Sequence, residues 1–251
     1  MAIYHKAYLL DGKGFIHRIS PILDALDNGN PKLLYEDVLS IIENSTEETW
    51  FFNELGYESL DNQKITLAGQ PLDKIQKIPE TSEIHPYDLG FLLMIIFSQY
   101  LVYCRGMGEN YSILAKVLEK WMKWKETETD MLVTGVHTVK LLKSNIVIPD
   151  RFLTPEDPYY FWMRLKYTAG HGGWLSQEQI QIMYDKLLSN ERKIKKFNYK
   201  KFGNCFDGWR LTVPEGQLDY LDRLHKSYNQ AVYMCEKALQ EQKELYMIKH
   251  Y

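Results

Sequence analysis

The sequence predicts a mainly α protein of about eight helices in an irregular array, with at most a small sheet that includes residues 3–10. Three observations carry that prediction. Apolar residues recur at spacings of three and four through most of the chain, the period of a helix with one buried face. Gly and Pro clusters punctuate those stretches as turns do. The regular strand–helix alternation that builds a parallel sheet is missing.

Residues 3–10, IYHKAYLL, read as a strand, with Tyr4, Lys6, Tyr8 and Leu10 on one face and Ile3, His5, Ala7 and Leu9 on the other. Asp11-Gly12-Lys13-Gly14 ends it with turn chemistry. Asn30-Pro31 is a helix start, a cap followed by proline at the first helical position. Leu34, Val38, Ile41 and Ile42 continue that helix at its period. A short helix is predicted over 48–55, and irregular chain over 56–86 with one strand at 64–68. The apolar run 89–103 predicts a buried central helix over 88–104. A membrane-spanning helix needs roughly 18 or more apolar residues, and Ser98 and Gln99 interrupt this run.

Two helices follow, one striped by Ile113, Val117, Trp121 and Trp124, the other by Leu132, Val136, Val139 and Leu142. Near residue 175 several local signals agree. Ser176 and Gln179 match a capping box, and Leu175 and Ile180 occupy the positions of a hydrophobic staple. The last helix is predicted from about residue 215 into the 240s. Its seam is Leu218, Leu221, His225, Tyr228, Val232, Cys235 and Leu239, and it docks on another helix of the same chain. The whole chain, 1–251, reads as one globular domain. Pro149, Pro155 and Pro158 also allow two lobes, 1–145 and 158–251, joined by a Pro-containing connection over 146–157.

Composition narrows the function classes. Apolar residues at 45% and charged residues at 25% are globular values. Thirty basic against thirty-three acidic side chains give a net charge of −3, which argues against a protein held to nucleic acid by bulk charge. Cys104, Cys205 and Cys235 form no CxxC pair, so a disulfide framework or zinc knuckle is not expected and a reducing cytoplasm is. The N-terminal stretch lacks the long apolar core of a signal peptide.

No catalytic motif emerges. His5, His17, His85, His137, His171, His225 and His250 form no HxxxH or HExxH pattern, so neither a metal nor another cofactor is expected. Gly106-Met107-Gly108 lacks the third glycine of a dinucleotide fingerprint, since Tyr111 stands there. No serine lies in GxSxG. Cys205, in a Gly-rich stretch, is the candidate for an exposed thiol.

Three constellations remain. From Glu36 to Asp61 there are eight acidic residues and no Lys or Arg, with Trp50, Phe51 and Phe52 among them. Glu47, Glu48, Trp50, Phe51, Phe52 and Glu54 are the candidate surface for a basic protein partner, because charge speeds encounter and aromatic rings anchor it. A non-enzymatic inhibitor or neutralising role is the leading expectation. His171, in Ala169-Gly170-His171-Gly172-Gly173-Trp174, is the candidate general base or anion ligand of an enzyme pocket beside a Gly-rich loop. The plainer reading of that loop is a tight connection that needs positive φ angles. Arg192, Lys193, Lys195, Lys196, Lys200 and Lys201, interleaved with Phe197, Tyr199 and Phe202, are a basic aromatic stretch suited to weak nucleic-acid binding. That partner ranks last, behind a protein, and no membrane is expected.

Overall fold

The tertiary structure, a computed structural model, describes residues 4–44, 66–67, 70–71, 92–93, 95–106, 111–134, 136–137, 171–198 and 214–250. The fold is mainly α with a small antiparallel sheet, as the helical periodicity requires. In chain order the elements are β1 (Tyr4–Leu10), α1 (Gly12–Asp27), α2 (Lys32–Glu43), β2 (Thr66–Leu67), β3 (Gln70–Pro71), β4 (Leu101–Gly106), α3 (Tyr111–Met122), α4 (Glu126–Thr134), β5 (Val136–His137), β6 (His171–Leu175), α5 (Gln177–Lys195), α6 (Pro214–Gln240) and β7 (Glu244–His250). Residues 92–93 and 95–98 are helical as well. Two compact units divide the chain. One comprises residues 1–10, 102–137 and 171–251, the other residues 11–101 and 138–170. The connection 146–157 lies outside the described residues.

The first unit is built on a five-stranded sheet of order β4-β1-β7-β6-β5. β1 pairs antiparallel with β7, Leu9 opposite Leu245 and Ala7 opposite Met247, and β6 pairs on the other side of β7, Leu175 opposite Leu245. Those residues join one apolar cluster with α3, α5 and α6. On the opposite face Tyr8, Tyr246 and Trp174 lie across neighbouring strands and are fully buried too. Trp174 Nε1 donates to the Glu244 carboxylate at 2.7 Å, so the ring is buried with its one polar atom satisfied. A sheet buried on both faces explains why period-two patterning is faint outside β1.

α5 starts as the sequence predicts. The Ser176 hydroxyl accepts from the Gln179 N–H while the Gln179 amide accepts from the Ser176 N–H. Leu175 and Ile180, the staple pair, are both buried. α6 docks on α5 through Leu224, Tyr228, Ala231, Met234, Cys235 and Ala238 against Met183, Leu187 and Ile194. Leu221, His225, Val232 and Leu239 are only half-buried, so the seam sits about one residue away from the predicted stripe.

Several expectations are corrected. α1 grows directly out of Asp11-Gly12-Lys13-Gly14, where turn chemistry alone was expected. Asp11 caps the helix by accepting from the Gly14 N–H at 3.0 Å, and Phe15, Ile19, Ile22 and Leu26 form its buried stripe. The central helix does not reach 104: it stops at 98, turns at 99–100, and the chain continues as β4. α4 ends at Thr134, so Val136 belongs to β5 rather than to a helical stripe. α6 ends at Gln240 and β7 follows. Lys243 N–H donates to Ala238 and Gln242 N–H to Leu239, a Schellman closure with Gln242 in the left-handed region at φ 52°. Among the described residues no helix is long and apolar enough to cross a membrane.

Candidate functional site

The three sequence constellations fare differently. His171 is not in a loop: His171–Leu175 is strand β6, held between β7 and β5, with His171 opposite Lys249 and Gly173 opposite both Met247 and His137. The segment needs no left-handed glycine, since the only positive-φ glycine among the described residues is Gly29. A histidine followed by two glycines gives no alternation, so the sequence there reads as a loop. His171's side chain lies outside the described residues.

Glu47, Glu48, Trp50, Phe51, Phe52 and Glu54 also lie outside the described residues. The N-terminal end of the acidic stretch is described, and there the charge is not free. Asp37 is buried and held by Arg18, whose Nε donates to its carboxylate at 3.0 Å and whose Nη2 forms a second, close contact. Glu36 pairs with Lys32 at 3.4 Å. Both cations precede the window in which charge was counted, so the stretch carries fewer uncompensated carboxylates than its composition implies.

The basic stretch is the constellation that converges on a site. Arg192, Lys193, Lys195 and Lys196 are exposed, while Lys200 and Lys201 lie outside the described residues. α5 positions them by its own ending. The Ile194 carbonyl accepts from the Phe197 N–H at 3.0 Å, which turns the chain inward and buries Phe197. Through its Nε2–H, His225 of α6 donates to the same carbonyl at 3.2 Å and ties the helix end down. Phe197 then meets Trp121, at the end of α3, edge to face with ring centroids 6.0 Å apart. Arg192, Lys193, Lys196, Trp121, Met122 and Phe197 line one cavity of about 260 Å³.

The electrostatics of that cavity are one-sided. Lys195 pairs with Glu191 at 2.6 Å and faces along the helix. Arg192, Lys193 and Lys196 make no ion pair among the described residues. Cations in a last turn complement the helix dipole, which accounts for their presence near the end of α5. It does not account for three of them sharing a hollow with an indole, a thioether and a phenyl ring. Sequence reasoning missed Trp121 and Met122, because they come from a helix some seventy residues upstream and nothing local marks them.

Nucleophilic chemistry finds no support among the described thiols. Burial pushes the Cys104 thiol up, and burial pushes Cys235 up to about 12, so neither is a ready thiolate. Cys205 lies outside the described residues. No cluster of His, Cys, Asp and Glu among the described residues could hold a metal ion. The class that fold and cavity define is a mainly α protein with a small antiparallel sheet and a basic, ring-lined hollow where two helices end. Comparison with protein-family profiles, curated proteins and solved structures returns no match.

Proposed function

We propose that the chain is a binding protein rather than an enzyme, and that the hollow at Trp121 and Lys196 takes a nucleotide unit: one flat ring carrying phosphate. The observation that supports this is the meeting of three cations that make no ion pair among the described residues with Trp121, Met122 and Phe197 in about 260 Å³. Phosphate asks for Arg and Lys donors, and a base asks for an aromatic or thioether surface, with stacking worth roughly 1–3 kcal/mol per base. A cavity this small holds the base of one unit, with its phosphate reaching the exposed cations at the rim, and not a wrapped strand. The net charge of −3 disfavours a long polyanion further. The pairing of Glu36 and Asp37 takes away part of the observation behind a protein-binding acidic surface, so that reading now ranks second. The free thiols Cys104 and Cys235 support a reducing cytoplasm as the compartment.

The test is a calorimetric titration at low salt with adenosine, inorganic phosphate, AMP, UMP and a short oligo(dT). Nucleotide binding that neither adenosine nor phosphate reproduces, and that Arg192→Glu with Lys196→Glu abolishes, is the expected result. Oligo(dT) binding more tightly than UMP would assign the site to strand ends, and the reverse order to free nucleotides. Absence of binding by every ligand, or indifference to the double charge reversal, overturns the reading.

A further inference from the structure

We propose that a second cavity, in the unit that contains α1 and α2, is a binding site for a small uncharged polyhydroxyl ligand of monosaccharide size. It encloses about 350 Å³, and its described lining is Arg18 of α1, Asp37, Ser40, Ile41 and Asn44 of α2, and Ile96, Gln99 and Tyr100. This volume is at the small end of ligand pockets, which run from roughly 300 to 1,000 Å³.

The lining sets the ligand's charge. Arg18 and Asp37 neutralise each other, and both stay fixed because two contacts join them. An anion would meet the buried Asp37 carboxylate. A cation would meet the guanidinium, whose side chain is 55% exposed, while an anion drawn to that guanidinium would compete with a carboxylate already bound to it. The pair leaves the lining with no net charge to repay the desolvation of an ion, which favours a neutral ligand.

The remaining polar atoms set its chemistry. Guanidinium has five N–H donors, and Asp37 occupies only part of them. The Asn44 Nδ2 donates to the Ser40 carbonyl at 2.7 Å, and the Gln99 Nε2 to the Ser98 hydroxyl at 3.1 Å, which orients both amides. Their amide oxygens accept from no donor among the described residues. Burial pushes the Tyr100 phenol up, with Arg18 partly opposing that, so the hydroxyl keeps its proton and both donates and accepts. A ligand that answers these groups must donate to amide oxygens and accept from guanidinium and phenol at once. Neighbouring hydroxyls do that, and the C–H faces of a sugar ring suit Ile41 and Ile96.

The cavity is held open by local constraints rather than by a loop's chance position. Tyr100 is fixed at both ends of its residue: its carbonyl accepts from the Asp11 N–H at 2.9 Å, and its ring lies edge-on to Phe15 at 5.9 Å. Gly14 is required there, since a Cβ would stand 2.8 Å from the Asp11 carboxylate and 3.0 Å from the Tyr100 ring.

The experiment is a calorimetric titration of the full chain with glucose, galactose, mannose, xylose and myo-inositol, alongside gluconate and glucosamine as charged counterparts. At least one neutral member should bind with a millimolar or tighter Kd, and both charged counterparts at least roughly tenfold more weakly. Asn44→Ala and Gln99→Ala change exposed side chains, so the fold is retained. Each should weaken binding by roughly tenfold, the value of one lost hydrogen bond. Lys196→Glu should leave it unchanged, which separates this site from the nucleotide reading. The proposal is overturned if no neutral member binds, if gluconate or glucosamine binds as tightly, or if either alanine variant leaves the affinity as it was.

Discussion

Arg18 and Arg192 are both exposed arginines on helices, and both line a cavity, yet they are in opposite electrostatic states. Arg18 is committed to a carboxylate that the fold has buried. Arg192 has no ion-pair partner among the described residues and shares its hollow with two further cations. The difference teaches that charge becomes functional only after internal pairing has been subtracted. Counting along the sequence made residues 36–61 the boldest patch, and pairing with Arg18 and Lys32 removes two of its carboxylates. Among the described residues the shorter basic stretch loses only Lys195 to a neighbour.

That contrast can be broken by mutation. Arg18→Ala leaves the Asp37 carboxylate buried without its partner. A fully buried pair loses about 3–5 kcal/mol when broken, and the exposure of Arg18 lowers this to about 2–3 kcal/mol. Urea denaturation should show the loss with little dependence on salt, and a cost below about 0.5 kcal/mol would mean that Asp37 was never committed to Arg18.

A buried group elsewhere tests the same idea through pH. The Tyr228 hydroxyl donates to the Leu187 carbonyl at 3.0 Å inside the α5–α6 seam, and burial pushes it up to about 12. Its folded value exceeds the ordinary one, so its contribution is complete below about pH 10 and is lost as pH rises toward 12. Wild-type stability should fall over that window by on the order of 2 kcal/mol relative to Tyr228→Phe. Parallel stability curves for the two proteins would contradict the burial argument.

For the other cavity, removing Arg192, Lys193 and Lys196 together by alanine should cost at most about 1 kcal/mol, the scale of helix-dipole complementation. Added salt should erase even that. Nucleotide affinity is the quantity that should collapse. A stability loss equal to that of Arg18→Ala, persisting in salt, would show these cations to be structurally paired after all.

How much of this was legible in the sequence depends on which residues do the work. The start of α5 was legible because Ser176, Gln179, Leu175 and Ile180 are neighbours in sequence, and a capping box is a local device. β1 was legible because its alternation is intact. The end of α6 was not, because the residue in the left-handed region is Gln242 and not glycine. The equivalent closure of α1 uses Gly29 at φ 75°, with Asn30 N–H donating to Ala25 and Gly29 N–H to Leu26. Between these two ends lies the smallest effect: Gln242→Gly should stabilise by about 0.5–1 kcal/mol, since a left-handed non-glycine residue carries that strain. A thermal melt that moves down instead would mean that the Gln242 side chain matters more than its backbone. The candidate site was half legible. Its cations stand in a row, whereas Trp121 reaches them only through the packing of α3 against α6 and the inward turn at Phe197.

The adjacency of β1 and β7 carries a consequence for how the protein is made. β7 is the middle strand of the sheet, and its partner β1 is more than two hundred residues earlier. At roughly 5–20 residues per second on the ribosome, Ala7-Tyr8-Leu9-Leu10 waits on the order of ten seconds or more before its partner strand exists. Both of its edges are open until β4 is made, and the edge that β7 takes stays open for the whole interval. Chaperone occupancy during synthesis, mapped codon by codon, should therefore begin at β1 and be released only when β7 emerges.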